Sequence, residues 1–211
     1  LRRSTLMLFA LPEYAVYLGS IPVGLYIPLV YSKDFGLSLT EVGLILMLAR
    51  ISDVVTDPLI GYLSDRTPGK FGRRKPWMAA GALLMMISAF QLFNPTVLNE
   101  MPIDSMHLLI WAVSLWLGWT MINIPYYAWG SELSTDYHER SKVTGSRAVF
   151  NSLGSLSAQL IPAMALLIFG IGGSSVVLEL VGLTMLVLMP ICVTLTLTNV
   201  AEAPYQPRQQ V

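Results

Sequence analysis

Residues 48–77 read LARISDVVTDPLIGYLSDRTPGKFGRRKPW. The first half of this stretch lies in a run apolar enough to enter a membrane, yet it carries Arg50, Asp53 and Asp57. At about 100° per residue on a helix, Asp53 lies about 60° from Arg50 and Asp57 about 20° from it, so the three charges share one face with Gly43 and Gly61. Each such charge costs ~2.5–3.5 kcal/mol at the centre of a membrane helix, several times what one apolar neighbour returns. That face therefore looks onto protein or water, and the helix belongs to a bundle.

Composition carries the reading to the whole chain. With 54% hydrophobic and only 12% charged residues among 211, there is too little polar surface to cover a soluble domain. Six segments reach the ~20 residues that a bilayer core requires: roughly 5–31, 41–63, 76–94, 106–130, 143–170 and 176–198. The expected fold is all-α, a polytopic membrane protein whose six-helix domain fills 1–200, with 201–211 as a cytoplasmic tail or the start of a linker. The first span is too long, and too interrupted by Pro12, Glu13, Pro22 and Pro28, to read as a cleavable signal. Pro22, Pro28, Pro125 and Pro162 predict kinked or broken helices. Membrane lipid is the implied surrounding, and no nucleic-acid partner is expected.

Net charge is zero, but its placement is not uniform. Arg2 and Arg3 precede the first span, and Arg66, Lys70, Arg73, Arg74 and Lys75 lie between the second and third. Arg140 and Lys142 separate the fourth from the fifth, Arg208 is in the tail, and the opposite loops hold only Lys33. The positive-inside rule then puts both termini in the cytoplasm. Cys192 is alone, so no intrachain disulfide forms, and it reads as a small buried apolar residue.

The buried charges admit two readings. Arg50 and a carboxylate form a structural ion pair, or the surplus carboxylate serves something mobile. One Arg cannot neutralise both Asp53 and Asp57, which leaves a negative charge for a proton or a monovalent cation, with hydroxyls such as that of Thr56 completing a hard-oxygen site. A soft-metal site is disfavoured because the Cys and both His residues lie elsewhere. Aspartyl hydrolysis is disfavoured too: it needs carboxyls converging on a water, and these project in parallel from one helix. No HExxH, GxSxG or P-loop pattern is present, so no enzyme is expected. In the loop that follows, Gly72 permits a tight turn, and Asp65 beside Arg66, Arg73 and Arg74 suggests a charge cluster that locks one conformation and releases in another. The plainer reading is a topogenic basic loop.

Gly61, Asp65, Arg66, Gly72, Arg73 and Arg74 resemble the signature loop of the major facilitator superfamily. The longer stretch RISDVVTDPLIGYLSDRT…FGRRKPW is similar to the glycoside-pentoside-hexuronide:cation symporter group, as are GWTMINIPYYAWGSEL and ERSKVTGSRAVFNSLGS. The resemblance implies an N-terminal six-helix half of a major facilitator fold, a coupling ion (Na+ or H+) and no other cofactor. It implies cation binding by Asp53, Asp57 and Thr120, with Thr56 where sodium-coupled members carry Asn; the choice of ion stays open. It implies solute binding by Tyr17, Asn123, Tyr127 and Arg147, where Tyr17 and Asn123 replace acids that grip sugar hydroxyls; Glu13 lies one turn before Tyr17 on the same face. Arg147 suits an acidic solute such as a hexuronide. The implied activity is symport of a sugar, glycoside or uronide in a bacterial inner membrane.

Other residues have plain explanations. Tyr126, Tyr127 and Trp129 also fit as interfacial or packing aromatics, and Glu132, Asp136, His138 and Glu139 read as a solvated loop. The tail AEAPYQPRQQV reads as a flexible exit. A superfamily transporter needs two six-helix halves, so a second is expected from the same chain beyond residue 211, from a separate subunit or from a parallel homodimer. The absent initiator Met makes a fragment or processed chain one expectation. The competing expectation is a non-transporting membrane subunit that docks on a partner complex.

Overall fold

The apolar periodicity becomes helix throughout. The computed structural model describes residues 1–19, 22–67, 71–95, 103–170 and 172–202, and among these every regular element is helical and none is a strand. The first span comprises α1 (Arg3–Leu18), a π-helical turn at Pro22–Tyr26 and α2 (Ile27–Lys33). The second is α3 (Leu39–Ile51) with α4 (Asp53–Arg66). Then follow α5 (Lys75–Phe93), α6 (Ser105–Glu132), α7 (Tyr137–Phe169) and α8 (Ser174–Asn199). Among the described residues, five helical stretches are long and apolar enough to cross a membrane, counting Arg3–Lys33 as one, and the chain is an integral membrane protein.

The expected second span, 41–63, is not a single helix either: it is two, parted at Ser52. Ser52 keeps helical dihedrals (φ −57°, ψ −26°), so the chain does not turn there; the hydrogen-bond ladder is what fails. The Ser52 hydroxyl donates to the Ala49 carbonyl at 2.6 Å, competing with the backbone for that acceptor. One turn further, Pro58 has no N–H to offer the carbonyl of Val54. The loosened segment is the one that carries Asp53, Thr56 and Asp57. Of the other prolines, Pro22 opens the π-helical turn and Pro28 sits in the first turn of α2, whereas α6 and α7 continue as helix through Pro125 and Pro162.

Packing orders the helices around the bundle. α5 lies along α6 and touches α8; α8 touches α1; α1 lies along α7; α3 and α4 rest on α6. The α5–α6 crossing is tight because both partners present glycine: a Cβ on Gly118 would stand 2.8 Å from the Met85 nitrogen, and one on Gly81 2.9 Å from the Gly118 carbonyl oxygen. Any larger residue at either position would force the backbones apart. Where α1 meets α6, Phe9 stacks on Tyr126 at 4.6 Å between ring centroids and meets Trp129 edge-on at 5.4 Å. Trp129 is fully buried, which settles it as a packing residue. Helices α4 and α7 end up with few neighbours and leave Val54, Val55, Leu160 and Leu167 exposed. Between them α1 and α6 form the back wall of an open side; Glu13, Asp53, Asp57 and Arg147 lie on α1, α4 and α7, and Arg50 is in the last turn of α3.

Candidate functional site

Across the α3–α4 junction, the charged face read from the sequence forms as expected. Arg50 pairs with Asp53 (Nη1 to Oδ2, 3.1 Å), and its guanidinium lies over the rings of Trp116 and Trp119 on α6, at 4.1 and 5.2 Å from the centroids. Asp57 makes no ion pair among the described residues and instead accepts a hydrogen bond from the Thr120 hydroxyl at 2.8 Å. A pocket of about 470 Å³ opens here, lined by Arg50, Asp53, Val54, Asp57, Pro58 and Trp119. Two oxygens of this segment, Asp53 Oδ1 and Thr56 Oγ1, are buried and have no hydrogen-bond partner among the described residues. The arrangement thus holds one neutralised carboxylate, one uncompensated carboxylate and spare hard-oxygen acceptors, a donor set that suits a proton or a small monovalent cation. Among the described residues no group of three or more His, Cys, Asp or Glu side chains gathers at one place.

Deeper against α1 lies a second polar cluster. Arg147 on α7 donates from Nε (2.9 Å) and Nη2 (2.7 Å) to the same oxygen, Oε1, of Glu13. Its guanidinium faces the ring of Tyr127 at 4.1 Å and that of Tyr126 at 4.9 Å. Tyr17 lies within hydrogen-bonding reach of Tyr127. The structure therefore brings Tyr17, Tyr127 and Arg147 together. Asn123, one turn before Tyr127, is buried and donates its amide back to the Trp119 carbonyl at 3.0 Å. Glu13 sits at the centre of this cluster with 3% exposure. The sequence shows Glu13 on the face of Tyr17; what it lacks is any sign that a side chain 134 residues later is its partner.

The charge cluster expected around the loop between the second and third spans forms, with different members. Arg74 pairs with Asp65 at 3.0 Å, and both Arg73 and Arg74 grip Glu132 at the end of α6, each with contacts of 2.6 Å. Arg66 is not part of it: it stays on its own helix, bonded to the Tyr62 hydroxyl and stacked on that ring at 3.8 Å. Two readings are corrected here. Glu132 is not a solvated loop residue but the hub of the cluster, because the end of α6 is packed against the first turn of α5. The chain after α8 is not free at its start either. Glu202 accepts the backbone N–H groups of Arg73 (3.3 Å) and Arg74 (3.1 Å), and the Trp129 indole donates to the Ala201 carbonyl at 3.3 Å. In return, Lys75 caps the end of α8 through the Leu197 and Val200 carbonyls, both at 2.7 Å. Gly72, at φ +97°, makes the turn, and the Glu202 carboxylate fills the space that a Cβ there would need. Lys70 and the tail from 203 onward lie outside the described residues.

A helical membrane bundle that sets two half-buried aspartates beside a pocket, only one of them ion-paired, is a form in which secondary transporters are built. The sequence matches the family described as MFS/sugar transport protein over residues 8–211, and the chain belongs to that family. It is 33% identical over 158 residues to "Uncharacterized symporter YnaJ" of Bacillus subtilis, covering 74% of this chain and 34% of the relative. It is 32% identical over 153 residues to "Inner membrane symporter YicJ" of Escherichia coli, covering 72% and 33%. To "Isoprimeverose transporter" of Lactiplantibacillus pentosus it is 25% identical over 174 residues, covering 79% and 35%. The matched region thus spans about a third of each relative's length.

Proposed function

We propose that this chain is one six-helix half of a cation-coupled symporter that moves a small polar solute, a sugar, glycoside or uronide, together with Na+ or H+. The observation that carries the reading is Asp57. It is an uncompensated carboxylate held by Thr120 beside a pocket on the open side, where a mobile cation completes the charge balance. The relatives named as symporters and as an isoprimeverose transporter support the class of reaction and solute. The other wall of the cavity is a second six-helix unit in the same orientation, supplied by further polypeptide, a separate subunit or a second copy of this chain; the greater length of the relatives supports such a unit. Without it, Asp57 and its neighbours would face lipid at a cost of several kcal/mol, on the order of the insertion cost of one charge.

Liposomes containing the protein should accumulate a sugar or uronide when an inward Na+ or H+ gradient is imposed, and lose that capacity when both gradients are collapsed. Protein that is stable and monomeric yet inactive with every such solute would favour a membrane subunit that docks on a partner complex. The cytoplasmic location of the 64–75 loop, proposed from its basic residues, has a separate test. In a Cys192→Ser background, Lys70→Cys should react with an impermeant maleimide only after the bacterial inner membrane is opened. Labelling from the outside of intact cells would reverse the orientation.

A further inference from the structure

The charges on the open side can be counted group by group. Arg50 is paired with Asp53, Arg147 is paired with Glu13, and Asp57 is left for the coupling cation. With the cation in place these five groups sum to zero, so a solute carrying a carboxylate would add a negative charge that none of them offsets. The guanidinium that the sequence offers to an acidic solute is already engaged: two of its N–H groups converge on Glu13 Oε1, and its plane rests on the Tyr127 ring. The other oxygen of that carboxylate, Glu13 Oε2, is buried and has no hydrogen-bond partner among the described residues. A buried acceptor in that condition is satisfied by a ligand that brings a donor, and it repels one that brings only acceptors. A hydroxyl has the required proton; an ionised carboxylate has none.

We infer that Glu13 sets the charge specificity of the solute site: by neutralising Arg147 and presenting a free acceptor oxygen, it admits an uncharged polyhydroxylated solute and excludes the corresponding carboxylate. The inference rests on the symporter reading and narrows it, since Arg147 by itself favours the uronide. Glu13 acts both by contact, through Oε2, and through Arg147, whose positive charge it masks. Removing the charge while keeping the shape should therefore change which solute is bound rather than merely weaken binding. In Glu13→Gln the amide keeps an oxygen for Arg147, but the guanidinium charge is no longer balanced and becomes available to an anion.

The test is binding to the intact transporter in detergent, measured by calorimetry with matched pairs: the methyl glucoside and methyl galactoside, each against its 6-carboxylate. The wild type should bind the neutral member of a pair and not its carboxylate. Glu13→Gln should weaken the neutral sugar and strengthen the carboxylate, each by roughly tenfold. Glu13→Asp should stay selective for the neutral sugar, and the double variant Glu13→Gln/Arg147→Gln should lose the gain for the carboxylate. Thermal melting of each form establishes that it is folded. A wild type that prefers the carboxylate overturns the inference even if the Gln variant does not fold, as does a folded Glu13→Gln that shows no change of preference. A wild type that binds neither member of either pair overturns the sugar-symport reading itself, and the inference with it.

Discussion

Asp57→Asn should abolish cation-driven accumulation, bringing internal and external solute to equality, while solute binding and exchange persist. The substitution keeps the size of the side chain and an oxygen for the Thr120 hydroxyl, now 2.8 Å from Asp57 Oδ1, so the α4–α6 contact should survive. What disappears is the one negative charge at this site that no guanidinium balances, and with it the attraction that holds a proton or Na+ in a partly desolvated pocket. Asp53→Asn should behave differently. It strips Arg50 of its ion-pair partner, leaving the guanidinium on Trp116 and Trp119, so a loss of thermal stability should accompany the loss of coupling. Thr120→Ala should weaken cation binding without removing it, because it deletes one hydrogen bond and no charge. Uptake into vesicles with Na+ and H+ gradients imposed separately reads all three, and identifies the ion. If both Asn variants accumulate solute like the wild type, the carboxylates are only a structural ion-pair network.

Glu132→Ala should lower stability by about 2–4 kcal/mol, less than a fully buried ion pair because Glu132 keeps 33% of its side chain exposed. Its carboxylate is where Arg73 and Arg74 converge, and Arg74 is buried to 3% exposure, so its removal leaves a buried guanidinium holding only the exposed Asp65. The same loss should loosen the α5 turn against α6 and α8, seen as faster amide exchange at Arg73 and Arg74, whose N–H groups are capped by Glu202. Arg66→Ala, which the sequence pattern ranks beside the other cluster residues, should leave the melting temperature unchanged, since Arg66 contacts Tyr62 on its own helix. Melting curves in detergent decide the matter: equal damage from the Arg66 and Glu132 substitutions would refute this arrangement.

How far the sequence reaches can be seen at individual residues. The spans, the shared face of Arg50, Asp53 and Asp57, and the turn at Gly72 were all legible, because each rests on hydropathy, helical period or backbone sterics acting within a few residues. The break at Ser52 was not: an apolar run carries no mark of which hydroxyl will compete for a carbonyl. Tyr17, Tyr127 and Arg147 were named from family likeness, and the structure brings them together, but the likeness left Arg147 free to suit an acidic solute. Glu13, one turn before Tyr17, turned out to be its partner because α1 and α7 pack with those two faces in contact. Glu132 was read as a solvated loop residue, and the tail that contains Glu202 as a flexible exit, for the same cause. Their partners lie 58 and 128 residues away, and a carboxylate at a helix end looks alike whether it meets water or a guanidinium. Local periodicity determined which faces of each helix are polar; the rotation and approach of the packed helices decided which polar faces meet, because a cross-helix ion pair depends on distances that no stretch of a single helix encodes.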